Sequence, residues 1–242
     1  MIETNDWLKA SWNAGNELLR PVGAGERKPG KASTPLVVPI RSLGPTYRER
    51  ITAHLLALEP SDRYLRFGYA ASDDQIRRYA GQLDFERDEI FGIYNRRLEL
   101  IAMAHLALAR MPGSENCAEF GVSVLKKARG RGYGARLFDR AIMHARNEGV
   151  SMLFIHALTE NTAMLKIARN AGAVVHRDGM ESEAFLELPP ADLDSRMTEI
   201  VEQQFAEVDY QIKRQAKMFW DFLASVQKAS GCVRNARKNP GE

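Results

Sequence analysis

The stretch KKARGRGYGARLF, residues 126–138, constrains the fold more than any other part of the chain. Gly130, Gly132 and Gly134 remove every second side chain, while Lys126, Lys127, Arg129, Arg131 and Arg136 surround the bared backbone with positive charge. A strand-like run, AEFGVSVL (118–125), stands before it, and ARLFDRAIMHARNEG (135–149) follows with Leu137, Ala141, Ile142 and Ala145 on one helical side. A strand, a glycine turn and a helix N-terminus together offer unsatisfied N–H groups and a favourable dipole to an anion. The stretch therefore predicts a phosphate-binding loop.

Two of the designs that use such a loop fit poorly. GRGYGA (130–135) matches the dinucleotide fingerprint formally, but KKAR separates strand from glycine, and no acidic residue follows about 20 residues on to hold a ribose. A Walker A loop needs Gly-Lys-Ser/Thr, which is absent from this region.

The rest of the chain reads as a mixed α/β domain between two appendages. Residues 1–35 are a short helix (5–19) and a Gly, Pro and Lys-rich linker; residues 36–188 form the domain; residues 189–242 form an amphipathic helix and tail. Within the domain, 36–43 reads as a strand, 46–58 as a helix stopped by Pro60, and 72–83 as a helix with a Ser/Asp cap. Residues 88–95, 98–109 and 118–125 read as an antiparallel meander with a Pro-Gly turn at 112–113. MLFIHAL (152–158) is apolar enough for a strand covered on both faces, NTAMLKIARNAG (161–172) is a helix capped by Asn161, and 173–177 with 183–188 make a hairpin across Asp178–Gly179.

The 34 basic and 31 acidic residues give a net charge of +3, a balance that argues for neither nucleic acid nor membrane as partner. Cys117 and Cys232 stand far apart and no His/Cys cluster has ligand spacing, so neither a disulfide framework nor a metal site is expected. The N-terminal residues lack a basic region followed by an apolar run, and no stretch of about 18 apolar residues occurs, so a soluble, cytoplasmic protein is expected.

The third loop design fits. Arg129-Gly-Arg-Gly132-Tyr-Gly134 resembles the Arg/Gln-x-x-Gly-x-Gly/Ala pattern of the GNAT acetyltransferase superfamily, with the strand ending at Val124, five residues earlier. AEFGVSVL, ENTAMLKIARNAG and LEPSDRYLRFGYAASD (58–73) resemble segments of its bacterial protein-lysine acetyltransferase (Pat-like) branch, and the likeness extends over residues 36–188. It implies a GNAT acyl-CoA N-acyltransferase fold, a mixed α/β sheet with a long C-terminal helical extension. It also implies acetyl-CoA as cofactor and an amine acceptor, either a protein lysine or a small molecule.

The same resemblance assigns roles. The loop Arg129, Gly130, Arg131, Gly132, Tyr133, Gly134 would hold the diphosphate of coenzyme A, and backbone groups at Val122, Ser123 and Val124 would pair with the pantetheine arm. Asn161 is accounted for equally by cofactor contact and by N-capping. Glu119 stands where the branch carries a general base, and an apolar setting near Phe120 and Val122 would raise its pKa; on the residues alone it reads as a solvent-facing strand glutamate. Strand alternation puts Glu119, Gly121 and Ser123 on one face and Phe120, Val122 and Val124 on the other. His156 is an alternative base, and His105 and His144 are weaker ones. The tyrosine that many relatives use to protonate the departing thiolate is replaced by Ala168, which leaves room for a non-catalytic acyl-CoA sensor or an assembly module.

The C-terminal segment carries Val201, Phe205, Val208, Ile212, Phe219, Phe222 and Val226 at spacings of four and three, interrupted by Gln215. Unbroken from 192 to 227 it would be on the order of 50 Å long. It either folds back on its own domain in two pieces or acts as an arm for homodimerisation.

Overall fold

The computed structural model describes residues 38–109 and 116–238, with side chains as far as residue 222. The helix expected at 5–19, the linker after it and the turn at 112–113 lie outside the described residues. Seven strands form one sheet: β1 (Arg41–Ser42), β2 (Glu89–Tyr94), β3 (Leu100–Ala109), β4 (Cys117–Val124), β5 (Met152–Leu158), β6 (Val174–Asp178) and β7 (Glu181–Glu187). Their order is β1-β2-β3-β4-β5-β7-β6, and only the β4–β5 pair is parallel. That pair is joined through α4 (Tyr133–Asn147), the crossover a parallel connection requires.

Helices cover both faces. α1 (Arg48–Leu56), α2 (Pro60–Phe67) and α3 (Asp73–Gln82) accompany a core of Ile51, Leu55, Ile76, Ile90 and Met103. On the other face α4 and α5 (Thr162–Asn170) bury Phe120, Phe138, Leu137, Leu153 and Leu165. Phe120 meets Phe138 edge-on, with ring centroids 4.9 Å apart, and so locks β4 to α4. Local signals set the helix ends. Ser72 and Gln75 close a reciprocal capping box on α3, and the Asn161 Oδ1 accepts from Met164 N at 3.2 Å to cap α5.

Three sequence expectations change. Of the strand expected over 36–43, the described residues form strand only at Arg41–Ser42. Pro60 does more than stop α1, because it occupies the first turn of α2, where the missing N–H costs nothing and the fixed φ favours the helix. Finally, the C-terminal segment is not folded back in two pieces. It is one helix, α6 (Leu193–Lys238), 46 residues and about 70 Å long.

Candidate acyl-CoA site

The site begins with a fork in the sheet. Residues 117–119 of β4 pair with 152–154 of β5, after which β4 runs on to Val124 beside β3 alone while β5 continues along β7. The β3–β4 register is unbroken over its whole length, so peptide directions alternate strictly. Leu125 N donates to Ile101 O at 3.0 Å, towards β3. By alternation the N–H and C=O groups of Val122 and Val124 point the other way, into the fork. Arg129 Nε donating to Val124 O at 3.3 Å reports that direction independently. An open strand edge of this kind can add an extended amide-containing ligand as a further strand.

The glycine loop closes one end of the fork. Gly130 and Gly132 both have φ of 75°, a left-handed conformation that a side chain would strain. A Cβ at either would meet nothing within 4 Å, so backbone stands bare toward open space. α4 starts at Tyr133, and its first intrahelical donor is Arg136 N to Gly132 O at 3.1 Å, which leaves the preceding amides free for an anion. Gly134 serves packing instead: a Cβ there would come within 3.2 Å of Ile167 Cδ1.

Between loop and strand lies a cavity of about 600 Å³ lined by Val122, Ser123, Val124, Arg129, Gly130, Gly132, Tyr133, Gly134 and Asn161, so nine of the ten residues expected to hold the cofactor come together. Arg131 does not line it: its side chain is exposed beyond the turn, because alternation between two left-handed glycines aims it outward. Helix α2 forms one wall through Leu58 just before it, Asp62, Leu65 and Arg66, and α5 forms the other through Met164, Lys166 and Ile167. Two ion pairs tie α2 to the loop, Lys126 to Glu59 at 3.0 Å and Arg129 to Asp62. The Asp62 Oδ2 is buried without a hydrogen-bond partner among the described residues.

A second cavity of about 370 Å³ continues from the first, sharing Leu65, Arg66, Val122, Asn161 and Met164. Its polar lining sets three carboxylates, Glu119, Glu181 and Glu183, against one cation, Arg66, with His156 Nδ1 3.5 Å from Glu183. Glu119 faces it from β4, but the expected apolar setting is not there. The side chain is exposed, while Phe120 points to the opposite face and is buried under α4. Ala168 is also differently placed from the reactive position that the family resemblance implies: it is fully buried in the core and lines neither cavity.

Two buried networks lie under the α1–α3 face of β4. His54 Nδ1 is 2.9 Å from Leu100 O, which can only accept, so that nitrogen carries the proton and Nε2 accepts from Ser123 Oγ at 2.8 Å. Burial pushes the His54 pKa down to about 4, with a smaller contribution from the positive charge of Arg66, so the ring is neutral. In the second network Arg66 Nη2 donates to Tyr79 OH at 2.9 Å, Tyr79 donates to His105 Nδ1 at 2.8 Å, and His105 Nε2 donates to Asp88 at 3.0 Å. Burial, again aided by Arg66, lowers the His105 pKa. Gly121 permits this arrangement, since a Cβ there would sit 2.7 Å from Arg66 Cζ. Arg66 is the functional candidate the sequence reading passed over, and its only signal is a cation amid apolar residues in YLRF. His144, by contrast, bonds Glu199 of α6 at 2.7 Å and lines neither cavity. No group of three or more His, Cys, Asp or Glu residues able to hold a metal is present among the described residues.

A sheet forked beside an amide-rich glycine loop can seat an extended ligand that carries phosphate. Residues 54–173, just under half of the chain, match the family model described as the acetyltransferase (GNAT) family. Among solved structures, the GNAT domain of S. lividans PAT superposes with a TM-score of 0.53 at 20% identity, covering 62% of this chain and 89% of that one. A GNAT-family acetyltransferase from Streptococcus pneumoniae gives 0.50 at 12% identity, covering 62% and 98%. These likenesses concern the fold. A search of curated proteins found no match.

Proposed function

We propose that the protein is an acetyl-CoA-dependent N-acetyltransferase in which an amine attacks directly while both substrates are bound. The observation that carries this reading is the fork itself, with open β4 amides along its length, unpaired loop amides at one end and a carboxylate-lined cavity at the other. The residues fit the cofactor: Val122 and Val124 offer strand-like hydrogen bonds to a pantetheine arm, and Gly130, Gly132, Tyr133 and Gly134 offer backbone to a diphosphate. Arg129 joins them by exchanging Asp62 for phosphate. When bound, acetyl-CoA supplies an acyl group activated as a thioester.

What the chain must then do is deliver an uncharged amine to it. A free amine has a pKa near 10.4 for lysine, so a proton has to leave before attack. Glu119 is the base we assign, acting directly or through water from the acidic cavity beside Val122. The three carboxylates of that cavity favour a cationic acceptor, which a lysine side chain and a small aliphatic amine both satisfy, and we place the chain nearest the Pat-like branch on its sequence motifs. A cytoplasmic location is part of the same proposal; no described helix is long and apolar enough to cross a membrane.

A second reading, a non-catalytic acyl-CoA sensor, is favoured by one observation, the burial of Ala168 where many relatives hold an acid. One experiment separates the two. The full chain is mixed with acetyl-CoA and a panel of small amines and lysine peptides while thiol release is recorded, alongside calorimetry of acetyl-CoA binding. Turnover on any acceptor, abolished in Glu119→Gln with binding intact, supports the enzyme. Tight binding without turnover on the whole panel supports the sensor, and no binding refutes both.

A further inference from the structure

The helix α6 is attached to its domain by a largely polar face in which Ala206 and Tyr210 are the only buried apolar residues among those described, and it shows water a longer apolar face. Contact with the domain runs through Ser195, Glu199, Glu207, Tyr210 and Lys213. Ser195 accepts from and donates to groups of Asn147 and Asp192, and Glu199 meets His144, Asn147 and the buried Arg140. Glu207 pairs with Arg41 at 2.5 Å, and Lys213 reaches Tyr94 O at 3.2 Å. Beyond Lys213 every described residue to Phe222 is exposed.

On the opposite side Val201, Phe205, Val208, Ile212, Phe219 and Phe222 are between 46% and 62% exposed. Their spacing, 4-3-4-7-3 with Gln215 dividing the seven, is an a/d heptad held for three repeats, the period of a helix wrapped by another helix rather than of one laid on a sheet. The attachment, polar contacts together with the buried Ala206 and Tyr210, prevents the obvious escape, rotation of α6 to bury the stripe against its own domain.

We propose that this stripe pairs with the same stripe on a second copy of the chain, making a homodimer through α6. Three observations select a copy of this chain as the occupant. A heptad seam needs a matching seam, and the chain itself carries one, which a two-fold axis makes self-complementary. Of the flanking positions that choose between partners by charge, Gln204, Gln211 and Met218 on one side and Ala216 on the other are neutral, and the acidic Glu202 and Asp209 already face Arg140 at 3.6 Å and Lys213 at 2.6 Å within the chain, so no unmatched charge calls for a different, oppositely charged helix. The area also suffices. The three phenylalanines bring roughly 300 Å² of exposed apolar surface at ~200 Å² per ring. With the aliphatic positions and Met218 the stripe approaches the ~800 Å² per partner of a stable interface. Gln215 is the polar residue within the seam, the type that fixes register at some cost in affinity.

The test is sedimentation equilibrium of the full chain at several concentrations. Twice the 27.2 kDa protomer mass is expected. The double variant Phe219→Asp/Phe222→Asp, changed only at exposed positions, should sediment as a monomer with its circular dichroism and acetyl-CoA binding unchanged. Trp220→Glu, exposed but off the seam, should remain dimeric, and Gln215→Leu should tighten association about tenfold or more. A monomeric wild type, a mass above the dimer, or a dimer that survives the double variant or is lost in Trp220→Glu overturns the proposal.

Discussion

Arg66, which lines both cavities, and Glu119, which lines the second, put opposite charges beside β4 in different surroundings. Arg66 is held by Tyr79 and, through it, by His105 and Asp88, so it is a fixed cation. Glu119 is exposed to solvent. Glu119→Gln keeps the shape and removes the base. Turnover should slow by about two to four orders of magnitude with acetyl-CoA binding unchanged, since general-base assistance is worth that much; a variant retaining more than about half the wild-type rate would remove Glu119 from the mechanism. His54 gives a pH prediction. Its pKa falls from 6.5 to about 4 on folding, so the unfolded chain binds the extra proton between those values. That contribution to stability is complete above pH 6.5 and lost as pH falls toward 4, in total about 3 kcal/mol. The His54 ring resonances, followed by NMR, should titrate near 4; an inflection near 6.5 contradicts the buried neutral ring.

The glycine loop and α6 each depend on one local feature. Gly132→Ala forces a side chain into the left-handed region at a cost of about 1–2 kcal/mol, and relief of that strain turns the first amides of α4 away from the fork. Urea unfolding should show the loss and calorimetry a tenfold or larger weakening toward acetyl-CoA; unchanged affinity would mean that the loop is not the diphosphate site. Glu199→Ala strips the buried Arg140 of its nearest carboxylate and should cost about 3 kcal/mol, with Glu202 at 3.6 Å too far to compensate fully. A loss below about 1 kcal/mol would show that α6 is held by other contacts. Of these features the loop was legible in sequence, because missing side chains and positive charge are written residue by residue. The alternation of Glu119 and Phe120 across β4 was legible for the same reason. The networks of His54 with Ser123 and of Arg66, Tyr79, His105 and Asp88 were not, since their bonds join residues 13 to 69 positions apart that only the packing of helices on the sheet brings together. On the residues alone Glu119 reads as solvent-facing, and it is the apolar setting expected beside it that failed, because β4 and β5 part next to it.

For the molecule as a whole, the described part of the chain keeps the long helix out of the site, although α4 borders both. The fork is framed by α2, α4 and α5, whereas α6 rests on β1 and α4 and contributes no residue to either cavity. Association through α6 can therefore be removed without touching the fork, and activity can be removed without touching association. What everything else presupposes is that the fork receives an acyl-CoA. Calorimetric titration of the folded full chain with acetyl-CoA should give saturable one-to-one binding that free coenzyme A displaces. Absence of any saturable heat, or binding that coenzyme A does not displace, would contradict the account.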